Sequence, residues 1–157
     1  GFSSRLLKHL RENLGFLYNI RASTISLSDR GLFNISYSTV KENFYSVLEE
    51  ILKCLQDLTK DLVTEIQLDR AKAQERLELE SLNYDFDEQG YFLSRNVLWK
   101  KKIGTECLMT KLNTMTSLEI REEAKSLFQA HSCIFVTMGE KNKAMEASVR
   151  KLLKKYL

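Results

Sequence analysis

Two residues near the start of the chain combine reactive chemistry with close spacing: Arg11 and Tyr18, seven positions apart in R-E-N-L-G-F-L-Y. An arginine brings a permanent cation with forked donors, and a tyrosine brings a phenolic donor on a stiff ring. Held at one corner, the pair could grip a peptide carbonyl or stabilise a developing oxyanion. A plainer account competes with this. An arginine near a helix C-terminus offsets the macrodipole, and tyrosine is at home in strands. Spacing alone favours the plainer account.

The elements that must position the pair can be read from the surrounding residues. Ser3 to Leu14 reads as a helix, with Ser3 or Ser4 as N-cap and Leu6, Leu7, Leu10 and Leu14 on one face. Gly15 suits the C′ position, where only glycine enters the left-handed region without a Cβ penalty. Arg11 then falls in the last helical turn, and Tyr18 opens a strand. Tyr18, Ile20 and Ala22 alternate with Asn19, Arg21 and Ser23 to about Leu27. After Ser-Asp-Arg-Gly, Phe33, Ile35 and Tyr37 alternate with Asn34, Ser36 and Ser38. Two alternating runs joined by a short Gly-containing link predict an antiparallel hairpin with its aromatic face on helices. The Asn/Ser face is either solvated or borders a binding chamber.

Further along, Thr39-Val40-Lys41-Glu42, Thr64-Glu65-Ile66-Gln67 and Thr116-Ser117-Leu118-Glu119 each have the form of a capping box. The first is expected to launch a helix with Phe44, Val47, Leu48, Ile51, Leu55 and Leu58 on one stripe, packed against the sheet. The second opens a long helix through Arg70, Ala71, Ala73, Leu77 and Leu82, whose mixed charges form a solvated face. The third opens a helix from Ser117 to Ala130. Gly90 lies inside an aromatic helical pattern and costs about 1 kcal/mol relative to alanine, which suggests close packing or a break. Trp99 followed by Lys100, Lys101 and Lys102 reads as a core tryptophan at a helix end with solvated lysines. Cys133 to Thr137 is an apolar run expected to be a buried strand. A last helix puts Met145, Val149, Leu152 and Tyr156 on one face.

Composition limits the function classes. The 157 residues suit one domain, and a net charge of +3 with interspersed signs argues against a nucleic-acid surface. No apolar run is long enough to cross a membrane as a helix. Cys54, Cys107 and Cys133 form no C-x-x-C pair, and free thiols in a reducing, intracellular compartment are expected. The two histidines, His9 and His131, are far apart and neither belongs to an H-x-x-E-H arrangement. No metal is therefore expected in this chain. The chain opens on Gly1, inside a motif, and is expected to be a fragment of a longer protein.

The stretch G-F-S-S-R-L-L-K-H-L-R-E-N-L-G-F-L-Y, the D-R-G-L-F-N-I-S-Y strand and the run V-T-E-I-Q-L-D-R-A-K-A-Q resemble the second, non-zinc half of insulinase/pitrilysin-type metallopeptidases, which include mitochondrial processing peptidase. The resemblance implies an α+β fold, a two-layer α/β sandwich with helices on a mostly antiparallel sheet, truncated at its N-terminus. Residues 1–157 would be one domain of that non-zinc half. Arg11 and Tyr18 match the pair that this half supplies, so Tyr18 would donate to the oxyanion and Arg11 would hold a substrate carbonyl. Zinc and its glutamate base would lie in a partner half or subunit, as a homo- or heterodimer, around an unfolded peptide. The chain alone would be inactive. A non-catalytic structural subunit of a larger assembly is the alternative. The compartment expected is the cytoplasm, or the mitochondrial matrix.

Overall fold

A computed structural model describes Leu10 and residues 19–101, 103–139 and 144–157. The expected hairpin is present as β1 (Asn19–Ser26) and β2 (Gly31–Ser38), antiparallel, with Ile20 opposite Tyr37, Ala22 opposite Ile35 and Thr24 opposite Phe33. Leu27 donates its N–H to the Arg30 carbonyl at 2.8 Å and closes the turn. Alternation then decides the faces: Ile20, Phe33, Ile35 and Tyr37 point to the helices, and the Asn/Ser residues point away.

The core is built on α1 (Phe44–Lys60). Its apolar residues recur at helical spacing, so Val47, Leu48, Ile51, Leu52 and Leu55 share one buried face. That face meets the hairpin, Leu10 and Val149, with Phe44, Phe128, Phe135, Leu152 and Tyr156 packed around it. The helix α6 (Met145–Tyr156) closes this core. Lys155 and the Tyr156 hydroxyl both donate to the Glu49 carboxylate, and Gln56 donates to the Tyr156 carbonyl at 3.2 Å. Hydrogen bonds from Tyr156 and Lys155 hold the Glu49 carboxyl below the usual carboxylate range.

Between these elements lie α2 (Glu65–Ser81), α3 (Phe86–Leu98), α4 (Thr105–Thr114) and α5 (Ser117–Leu127). Two capping boxes form as expected. Thr64 and Gln67 exchange reciprocal bonds at the start of α2, and Thr116 and Glu119 do so at the start of α5. The box expected at Thr39 does not open α1. A 3₁₀ turn, Lys41–Asn43, precedes the helix, and neither Val40 nor Asn43 caps with its side chain.

Three other expectations are corrected. The third helix stops at Leu127 instead of Ala130, because Phe128 leaves the helical region and packs its ring 5.3 Å from Phe33. The run from Cys133 to Thr137 forms no strand among the described residues. Phe135 turns inward to Phe44, while Ile134 and Val136 are each 84% exposed. Trp99 is half-buried outside the core, with Arg95 over its ring at 4.9 Å and Lys101 at 5.8 Å. The N-terminal helix and its Gly15 stop lie outside the described residues, except for Leu10, which is fully buried.

Candidate functional site

The hairpin presents a polar outer face in cross-strand pairs: Asn19 with Ser38, Arg21 with Ser36, and Ser23 with Asn34. All but the half-buried Ser23 are exposed. These groups offer amide, hydroxyl and guanidinium contacts suited to an extended polypeptide. They include neither a nucleophile–base pair nor a general acid. Arg11 and Tyr18 lie outside the described residues, and the described part of β1 begins one residue after Tyr18.

Behind the hairpin is an apolar cavity of about 470 Å³, lined among others by Phe33, Ile35, Tyr37, Leu48, Ile51 and Phe135. The Tyr37 hydroxyl is buried there without a hydrogen-bond partner among the described residues, and burial pushes its pKa up to about 12. This phenol stays neutral at physiological pH and keeps its proton as a donor. Periodicity had marked Tyr37 only as packing. The available signal was a hydroxyl at a position where phenylalanine would serve a core as well.

A second cavity, about 340 Å³, lies where α2 faces α4 and α5, lined by Leu68, Lys72, Glu75, Leu112 and Ile120 with their neighbours. Lys72 donates to the Asn113 carbonyl at 3.0 Å and Arg76 to its Oδ1 at 2.7 Å, tying α2 to α4. Desolvation, and then the Glu78 charge, raise the Glu75 carboxyl above its ordinary range. A raised carboxylate pKa means ionised Glu75 opposes folding at neutral pH, and that opposition disappears once the group is protonated. Glu75→Gln is therefore expected to raise the urea midpoint at pH 7, with the gain fading as pH falls through the carboxylate range. An equal gain at pH 3 and pH 7 would show that charge is not the cause.

Among the described residues, no group of three or more His, Cys, Asp or Glu side chains is placed to hold a metal. His131 is exposed in a 3₁₀ turn, and Cys54, Cys107 and Cys133 are free thiols. No described helix is long and apolar enough to cross a membrane.

Comparison with known proteins supplies what the geometry leaves open. Residues 1–75 match the family model described as the peptidase M16 inactive domain. A protein of Rickettsia felis named an uncharacterized zinc protease is 29% identical over 134 residues, covering 83% of this chain and 32% of that protein. Just under half of the chain is thus similar to the peptidase M16 inactive domain. A zinc protease of Bacillus subtilis, YmxG, also named uncharacterized, is 27% identical over 130 residues, or 80% of this chain and 31% of the relative. The chain thus spans about a third of the length of the curated relatives it matches. A chain of complex III2 from Candida albicans, with Inz-5 bound, shares the fold. It superposes with a TM-score of 0.71 at 17% identity, covering 79% of this chain and 30% of that one. The matched family model describes an inactive domain, and the zinc-protease names belong to the longer relatives.

Proposed function

We propose that this chain is an M16-type domain, the substrate-facing, non-zinc part of a two-half metalloendopeptidase. The observation that carries the reading is the inactive-domain match, which spans residues 1–75 and so includes both Arg11 and Tyr18. In this reading an unfolded peptide lies against the polar face of the hairpin. The Arg11 guanidinium takes a substrate carbonyl through its forked donors, and the Tyr18 phenol donates to the oxygen that gains charge in the tetrahedral intermediate. In this reading the hydrolytic chemistry of zinc belongs to the other half; among the described residues no cluster is placed to hold that metal.

The test is reconstitution. The chain alone is expected to retain no stoichiometric zinc after dialysis against a weak chelator and to cleave no peptide. Paired with the zinc-binding half of the same protein, it is expected to restore hydrolysis that neither part shows separately. One equivalent of zinc held by the isolated chain would overturn the assignment. So would a zinc half that is fully active without it.

A further inference from the structure

The polar face of the hairpin carries one charge, and it stands in the middle. Cross-strand register puts Arg21 opposite Ser36, with the Asn19–Ser38 pair on one side and the Ser23–Asn34 pair on the other. Alternation sends these six side chains to the same side of the sheet. Five are neutral amides or hydroxyls, and Arg21 is exposed among them. The acid of the hairpin, Asp29, lies at the turn and pairs with Arg30 at 2.8 Å. Arg121 with Glu122 and Arg150 with Glu146 are likewise engaged. Arg21 has no carboxylate, amide or ring for a partner among the described residues.

This face is also a poor one for permanent burial. Sealing a guanidinium and five hydrogen-bonding groups against another domain costs desolvation at every group left unmatched. A wet surface that exchanges partners avoids that cost, and the charge at its centre decides which partner it attracts.

We infer that Arg21 selects peptides by an acidic side chain, a role that rests on the proposed substrate-facing reading of this face. An extended peptide laid along β1 presents every second side chain to the face. The guanidinium takes an aspartate or glutamate carboxylate through two parallel N–H donors, while Ser36, Asn19 and Asn34 meet neutral polar groups beside it. Lysine or arginine at the same place is repelled, so the site excludes as well as attracts. Arg21 follows Tyr18 by three residues, about 10 Å of extended chain, which puts the selected acid about three positions from the bond that is cut.

The test uses the reassembled two-half enzyme and peptides identical except for glutamate, glutamine or lysine, scanned along both sides of the cleaved bond. At one position glutamate is expected to raise kcat/KM about two- to tenfold over glutamine, mainly through KM. Lysine there should lower it by a similar factor. Raising salt from about 0.05 M to about 0.5 M should shrink the preference. Arg21→Gln should remove it, and Arg21→Glu should reverse it in favour of lysine. Each variant is compared with itself across peptides, so a loss of folding cannot imitate the reversal. Arg21→Gln, the milder change, decides the case should the charge reversal prevent assembly. Hydrolysis without a glutamate preference overturns the assignment of Arg21 and leaves the proposed function standing. So does a preference that persists in both variants. Halves that together cleave no peptide overturn the proposed function, and the role of Arg21 with it.

Discussion

Tyr18→Phe in the reassembled two-half enzyme is expected to lower kcat by about 10²–10³ with little change in KM. The expectation is a hypothesis resting on the inactive-domain match over residues 1–75. The substitution keeps the ring and removes only the donor. If that donor acts on charge present in the tetrahedral intermediate and absent from the bound peptide, the loss falls on turnover and spares binding. Arg11→Lys keeps the cation but loses the planar fork, so a loss of substrate grip should appear as raised KM, lowered kcat or both. Neither change should unfold the domain, because a cation at the helix end that the sequence predicts for Arg11 would contribute about 1 kcal/mol or less. Thermal melts of each variant check this independently of activity. A folded Tyr18→Phe enzyme with wild-type turnover would sink the catalytic role and leave the pair a structural corner.

Ile51→Ala is expected to cost about 2–5 kcal/mol in urea unfolding, through lost transfer free energy and the cavity left behind. Ile51 is 4% exposed on the buried face of α1, in the cluster that joins the hairpin to α6. Since domains of this kind have only about 5–15 kcal/mol in total, the alanine variant can lose much of its folded population. Ile51→Val provides a milder measure, with an expected loss of about 0.5–1.5 kcal/mol. Leu77→Ala is the control: that side chain is 67% exposed, and the change should stay within about 0.5 kcal/mol. An Ile51→Ala loss below about half a kcal/mol would mean that the stripe is not the core of this domain.

What could be read from the residues was what local chemistry decides. The boxes at Thr64 and Thr116 depend on a hydroxyl and a side chain three residues on, and both formed. The hairpin and the α1 stripe follow from periods of two and 3.6, and both appear with the expected faces inward. The misreadings share a non-local cause. Cys133 to Thr137 has strand composition, but a strand also needs a neighbour, and none is beside it among the described residues. Phe128 abandons its helix for a ring on β2, and no helical propensity reports such a partner. Trp99 looked like core because of its type; two cations over its ring hold it at the surface instead. Of the candidate site, the polar face of the hairpin was legible. The meeting of Arg11 and Tyr18 depends on residues outside the described set.

The pairing of α1 with α6 has a consequence for synthesis. The contacts that close the core join residues about a hundred positions apart, as in Gln56 with Tyr156. Closing a loop of that length costs roughly 4 kcal/mol of chain entropy, which only the completed contact can offset. On the ribosome, the Leu48–Leu55 stripe therefore emerges long before its last partner does. For that interval the nascent chain carries an amphipathic helix with no lid, the kind of exposed apolar face that chaperones bind. Folding should thus wait until α6 has left the exit tunnel.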